Sequence, residues 1–341
     1  MTQQMPARRK LIGALGAAAL ASAFTTLAQQ PNTPAGAAGK VWRIGILVLT
    51  TRAASVDPDQ YGGFVLGLRA LGYVEGRNLA IDWRFADGDA KRLPGLAVEL
   101  AATRPDVLLG FATNSALALQ QATATIPIVM TTSTDPVASG LIKSLARPGG
   151  NVTGILTLAG ELGPKRLEML RDMLPKLSVV ALLINPASAT AIKAVETVTS
   201  AGRQLGIRIV PVAASTQQEI DAAFAQARKH KAGGMIATLN PLFIQQKHQI
   251  AALAAKYRMP LMASDSSFAQ AACLMSYGSN LAHNYGRLAL YVDKIFKGTK
   301  PVDLPVEQPT RFELVINGKT AQALGLKIPH SLLITAERVI E

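Results

Sequence analysis

The chain has 341 residues, 49% of them hydrophobic and 17% charged, with a formal net charge of +13 and a single cysteine. That length and apolar share are enough for two buried cores, and one cysteine excludes a disulfide within the chain. The excess of Lys and Arg is scattered beside Asp and Glu, without a long basic run or interleaved aromatics, so it reads as a solvated surface and no nucleic-acid partner is expected.

At the N-terminus Arg8-Arg9-Lys10 precede an apolar stretch, Leu11–Leu20, and then two small-residue sites, Ala21-Ser22-Ala23 and Thr26-Leu27-Ala28. This is the three-part pattern of a secretory signal peptide over residues 1–28, too short for a transmembrane helix. Arg8-Arg9 followed by Lys10-Leu11-Ile12 resembles a twin-arginine signal, with Ala7 and Leu11 departing from the usual pattern, so twin-arginine and Sec export both stay open. Either route predicts a periplasmic protein. Residues 29–40 are a Pro/Gly/Ala linker, no N-terminal cysteine offers a lipid anchor, and no later segment is apolar for long enough to span a membrane.

Val41–Leu49 reads as the first strand, with a polar loop, Thr50–Asp57, at its carboxyl end. Phe64, Leu68 and Leu71 give Gln60–Leu71 a helical apolar face, stopped by Gly72. Asn78–Phe85 alternates like a more exposed strand, and Leu93–Ala102 is the next helix. The runs Asp106–Ala112 and Ile126–Thr131 are too short for buried helices and read as buried parallel strands around a helix at Ser115–Thr125. They form a right-handed βαβ unit. The first strand ends in Thr113-Asn114-Ser115, the second in Thr131-Thr132-Ser133-Thr134-Asp135. Singly, Asn114 and Asp135 read as helix N-caps, with Pro136 at a first helical position. Together they place two small-polar clusters at adjacent strand ends, where open α/β sheets bind ligands. Ile142–Arg147 closes a short helix broken by Pro148-Gly149-Gly150, and Asn151–Leu158 is a strand.

A second alternating series begins at Gly163, with helices at Lys165–Leu174, Thr190–Leu205, Gln217–Lys229 and Phe243–Tyr257. Its strands are Val179–Asn185, Ile207–Val212, Gly234–Leu239, Pro260–Ala263 and Cys273–Tyr277, followed by a helix at Leu281–Phe296. Pro301–Phe312 carries three prolines and reads as an extended crossing, and the last thirty or so residues as one or two small helices. Two βαβ series of similar size imply two doubly wound sheets.

No G-x-G-x-x-G, P-loop or G-x-S-x-G pattern occurs, the four histidines lack metal-ligand spacing, no cofactor motif is present, and Cys273 lies in an apolar run. What recurs is polar residues at strand ends in both halves. The candidates are Leu49, Thr50, Thr113, Asn114, Ser115, Thr134 and Asp135 in the first half, and Asn185, Asn240, Ser264, Asp265 and Tyr277 in the second. Their collection along one edge of two sheets is what a cleft between two lobes requires. The helix starting near Asn114 offers free N–H groups and the positive end of a dipole to a carboxylate at Thr113–Ser115, and Asp135 or Asp265 would then receive an ammonium group.

Several long stretches carry a resemblance: LRALGYVEGRNLAIDWRFADGDAKRLPGLAVEL (68–100), IPIVMTTSTDPVASGLIKSLARPGGNVTG (126–154), Lys165–Asn185, LMSYGSNLAHNYGRLALYVDKIFKG (274–298) and DLPVEQPTRFELVINGKTAQALGL (303–326). The chain resembles the periplasmic solute-binding proteins of ABC importers with the type I fold, and within them the tryptophan/tyrosine-uptake branch. The resemblance implies an α/β protein of two Rossmann-like lobes joined by a three-segment hinge with crossings near Leu158, Ser279 and Gln308. It places 41–158 with 280–307 in the N-terminal lobe and 159–279 with 308–341 in the C-terminal lobe. It also implies a monomeric, non-enzymatic protein that captures a small-molecule solute, an amino acid of aromatic type, and delivers it to an ABC permease in the inner membrane. A soluble enzyme or a ligand-sensing module on the same lobes is the alternative. The first lacks catalytic motifs, and the second would need a DNA-binding or membrane-spanning segment.

Overall fold

In a computed structural model of the chain, residues 40–52 and 61–341 are described. The expected signal peptide, most of the expected linker and most of the loop after the first strand lie outside the described residues. The first sheet contains β1 (Trp42–Val48), β2 (Leu79–Phe85), β3 (Val107–Phe111), β4 (Ile128–Thr132) and β5 (Val152–Leu156), all parallel, in the order β2-β1-β3-β4-β5. β3, β4 and β5 are buried along their whole length, which is why they read as continuous apolar runs, whereas the edge strand β2 is mostly half-buried and alternates. Helices α1 (Gly62–Ala70), α2 (Leu93–Ala102) and α3 (Thr113–Ala122) cover this sheet.

The second half runs α4 (Gly163–Met173), β6 (Val179–Ile184), α5 (Ala191–Leu205), β7 (Arg208–Ala213), α6 (Gln217–Lys229), β8 (Gly234–Ala237), α7 (Pro241–Gln245), α8 (Lys247–Lys256), β9 (Leu261–Ala263), α9 (Ser266–Gln270) and β10 (Met275–Gly278). Helix α10 (Leu281–Phe296) then returns to α1. The two approach closely because small residues face each other: a Cβ on Gly63 would lie 2.3 Å from Ala282 O. The chain ends in β11 (Glu313–Asn317), α11 (Gly318–Leu324), α12 (His330–Thr335) and β12 (Arg338–Ile340). The second sheet has the order β12-β11-β10-β9-β8-β6-β7, with β11 antiparallel to β10 and the other pairs parallel.

Both sheets are doubly wound, and in each the strand order reverses beside its first strand, between β1 and β3 and between β6 and β8. Ligands of such sheets bind outside the carboxyl ends at that switch point. Three connecting segments join the sheets and lie side by side. Leu156 N donates to Glu307 O at 2.8 Å, Glu307 N to Gly154 O at 3.0 Å, and Ser279 Oγ to Thr157 O at 3.3 Å.

Several local expectations are corrected. Residues 136–150 form turns, not a helix: Gly140 at φ +75° and the Pro148-Gly149-Gly150 break prevent propagation. Helix α3 starts at Thr113 rather than Ser115, so Asn114 lies inside its first turn and is not its N-cap. The single helix expected over Phe243–Tyr257 is two, divided at Gln246. The C-terminal segment holds two strands as well as two helices.

Candidate functional site

The start of α3 is pressed onto β3. Gly110 makes this possible, since a Cβ there would lie 2.8 Å from Ala116 N. The turn between them is taken by Ala112 at φ 91°, ψ 157°, a region that side-chain-bearing residues rarely occupy and that is found chiefly where function requires it. Ala112 N donates to Thr131 Oγ1 at 3.3 Å, and Ala116 N makes the first intrahelical bond, to Ala112 O at 3.1 Å. Among the described residues no side chain caps α3. The N–H groups of its first turn therefore have no intrahelical acceptor and carry the positive end of the helix dipole. Thr113 Oγ1 is tied to Thr132 Oγ1 at 2.7 Å and to Thr134 Oγ1 at 3.1 Å, a hydroxyl cluster joining the ends of β3 and β4.

The opposite wall comes from the switch point of the second sheet. Asn185 Oδ1 accepts from Ala187 N at 2.9 Å, and Asn240 Oδ1 caps α7 through Leu242 N at 3.0 Å. The two amides meet at 3.4 Å. The walls touch at the mouth. Asn114 Nδ2 donates to Ala187 O at 2.9 Å, while its Oδ1 accepts from Ala189 N at 3.1 Å. Gln245 Nε2 donates to Thr51 Oγ1 at 3.0 Å and to Thr51 O at 3.2 Å. The lobes are thus shut against each other by two polar latches.

Between them lies a cavity of about 610 Å³ of empty space, its open mouth included. One side is aromatic: Tyr61, Phe111 and Tyr285, with ring centroids 4.7 Å apart for Tyr61–Phe111 and 5.0 Å for Phe111–Tyr285. Leu49, Leu239, Ile244 and Leu281 extend this apolar surface, and Thr113, Asn114, Thr131, Thr132, Ser133, Thr157, Ser188, Thr190 and Asn240 supply hydroxyls and amides. Among the described residues no charged side chain lines it. A second chamber, of about 1270 Å³ of empty space, shares Ile244, Leu281 and Tyr285 with the first and is faced by Asp265, Glu313 and Glu337. Burial pushes the Asp265 carboxyl up from its ordinary value, against the bonds it accepts from Ser267. Burial, helped by Tyr61 and Asp265, likewise raises the Tyr285 phenol.

Of the twelve residues singled out from the sequence, Leu49, Thr113, Asn114 and Asn240 line the central cavity. Thr50 and Asn185 line a recess at the mouth beside Gln245. Thr134 stands behind Thr113, and Asp265 faces the second chamber. The rest are elsewhere. Ser115 and Ser264 are buried with hydroxyls that find no partner among the described residues, Asp135 is exposed and accepts from Val137 N and Ala138 N, and the Tyr277 ring stands 6.2 Å from Phe312. Sequence reasoning missed the aromatic wall. Phe111 ends β3 and Tyr285 lies on the apolar stripe of α10, so both look like core residues, and only their place in the fold distinguishes them. Among the described residues no group of three or more His, Cys, Asp or Glu side chains is arranged to hold a metal, and no helix is long and apolar enough to cross a membrane.

Comparison with known proteins agrees with this geometry. A tyrosine-binding protein of Clostridioides difficile is 29% identical over 269 residues, 78% of this chain and 76% of that protein. Two solved structures are each 25% identical and cover 88% of this chain and 99% of theirs. The ABC domain from Streptococcus pneumoniae in complex with L-Trp superposes with a TM-score of 0.75. The ligand-free, open structure of a substrate-binding protein with adhesive properties from Clostridium difficile gives 0.58. The model of the ABC transporter substrate binding protein family matches residues 44–340, nearly all of the described chain. The chain belongs to the family of ABC transporter substrate-binding proteins.

Proposed function

We propose that this protein binds an aromatic amino acid in the central cavity and hands it to an ABC permease of the inner membrane, as an exported periplasmic monomer freed of its N-terminal signal. The observation that carries the reading is the aromatic wall of Tyr61, Phe111 and Tyr285 facing a floor of hydroxyls and free N–H groups. Aromatics are only 5% of the chain, so three of them around one cavity are a local concentration. Ring pairing there adds about 0.5–1.5 kcal/mol per pair beyond area burial. The carboxylate goes to the first turn of α3 at Thr113–Asn114, where backbone N–H groups and the dipole favour an anion without an arginine. The ammonium group goes toward the second chamber, which adjoins the first at Ile244, Leu281 and Tyr285 and is faced by the buried Asp265, rather than toward Asp135, which is exposed on its turn. The bound solute joins two lobes, 41–158 with 280–307 and 159–279 with 308–341.

Calorimetry on the mature protein tests this with L-tryptophan and L-tyrosine, their decarboxylated and deaminated analogues, and a hexose. Binding of the two amino acids, with loss of at least tenfold for each analogue, is expected. Equal binding of the deaminated analogue would remove Asp265 from the site, and binding of the hexose alone would refute the reading.

A further inference from the structure

Arg166, in the first turn of α4, is a fully buried side chain, 2% exposed. Its guanidinium is spent on main-chain carbonyls: Nε donates to Tyr277 O at 2.7 Å and Nη1 to Ala159 O at 2.8 Å. Among the described residues Nη2 finds no acceptor. Among the described residues no carboxylate pairs with it. Burial pulls the group down to about 9, and the one opposing influence is the Tyr277 phenol. An unpaired buried cation is among the costliest things a core can hold, and a Met or Leu would fill the same space without that cost.

What the arginine grips explains its presence. Ala159 lies in the connecting segment that follows β5, and Tyr277 is the last residue but one of β10, just ahead of the second connection. One guanidinium therefore fixes the second-lobe ends of two of the three connections between the lobes. Immediately before the gripped Ala159 stands Leu158, at φ +52°. Of the other non-glycine residues with positive φ, Arg104, Lys231, Arg258 and Ala272 follow helix ends, Asp87 sits in a turn and Ala112 lies at the cavity. Leu158 ends no helix, and its left-handed backbone is unfavourable for a leucine. Across from it, Ser279 Oγ donates to Thr157 O, so the two connections are tied together at this level.

We propose that Arg166 is a positioning residue for lobe closure: by clamping Ala159 O and Tyr277 O it confines the rotation to Leu158 and Ser279, and Leu158 is the pivot, held in its left-handed conformation while the mouth is shut. This rests on the reading that the lobes open and close over a solute, but not on which solute.

The test needs no solute. Spin labels are placed at Val98→Cys on α2 and Ile192→Cys on α5, both exposed, while the native Cys273 is buried with its thiol pushed up to about 12. Pulsed electron resonance then gives the interlobe distance distribution of the mature protein, alongside its melting temperature. Arg166→Lys keeps the charge but offers a point donor in place of a fork. It is expected to fold and to give a broader distance distribution than wild type, as is Arg166→Met. Leu158→Asn, which tolerates the left-handed region, is expected to raise the ratio of short to long distances by roughly fivefold. If the Arg166 variants melt lower but their distances overlay those of wild type, the arginine is structural only and the proposal falls. It falls equally if neither variant folds, or if Leu158→Asn leaves the distribution unchanged.

Discussion

Two buried polar residues illustrate how the cavity separates binding from burial. Ser115, a hydroxyl in the first turn of α3, is fully buried, has no partner among the described residues and does not line the cavity. A buried hydroxyl without a partner costs about 1–3 kcal/mol. Ser115→Ala is therefore expected to leave solute affinity within about twofold and to raise stability by about 1 kcal/mol in thermal denaturation. Asp265 is the opposite case. Its folded pKa lies above the unfolded one because burial penalises the carboxylate. The stability it contributes is accordingly full below the unfolded value near 3.9 and is lost as pH rises through the folded value. Asp265→Asn retains the cap on α9 and removes the penalty, so the solute-free protein is expected to melt higher at pH 7 and to lose little stability between acid and neutral pH. The same variant is expected to bind an amino acid more weakly, and wild-type affinity is expected to fall as pH drops through the folded value. A variant that melts lower at pH 7 and binds unchanged would contradict both the sign and the role.

Helix α3 is the element that the site depends on most, and its placement rests on Gly110. A methyl group there meets Ala116 N at 2.8 Å, main chain that cannot swing aside. Gly110→Ala is expected to cost about 1–3 kcal/mol, the usual range for overpacking, and to weaken solute binding at least tenfold because the first turn is displaced from the cavity. Denaturant unfolding and calorimetry on one preparation check both. The elements themselves were legible to very different degrees. The bounds of α2, α6 and α10 agree with their sequence patterns because local signals mark the ends: Thr216 accepts from Glu219 N ahead of α6, and Asn280 from His283 N ahead of α10. Strands β3 and β4 stood out because both their faces are buried. The stretch 136–150 misled because Pro136 and Leu141-Ile142 imitate a helix start, while Gly140 and Gly149, both at positive φ, favour turns. The five residues of β11 and three of β12 lay hidden behind a proline-rich segment, since β11 is held by nonlocal pairing with β10 and β12 in turn by β11. At the cavity, strand-end polar residues were legible one at a time, but Tyr285, forty residues or more from most of the other lining residues in sequence, was recognisable only after α10 had folded back onto α1.

At the scale of the whole molecule, the two lobes meet over a cavity whose lining among the described residues is uncharged, and the latches Asn114–Ala187/Ala189 and Gln245–Thr51 hold the mouth. A solute that contacts both lobes binds the shut arrangement more tightly than the open one and so shifts the balance between them. The latches act on the same balance without being consumed in solute recognition. The first offers two hydrogen bonds and the second three, and each bond is worth about 0.5–1.5 kcal/mol. Asn114 also lines the cavity, so Gln245→Ala is the cleaner probe and Asn114→Ala the stronger one. Removing both is expected to open the solute-free protein, seen as a larger radius of gyration in small-angle scattering, and to weaken L-tryptophan binding by at least tenfold, since affinity scales with the fraction of molecules able to shut. Saturating solute is expected to return the double variant to the compact wild-type value, because the hinge and the aromatic wall are intact. If the variant and wild type have the same radius of gyration with and without solute, the latches do not set the balance. If saturated variant and wild type both stay as expanded as without solute, the lobes do not close on this ligand at all.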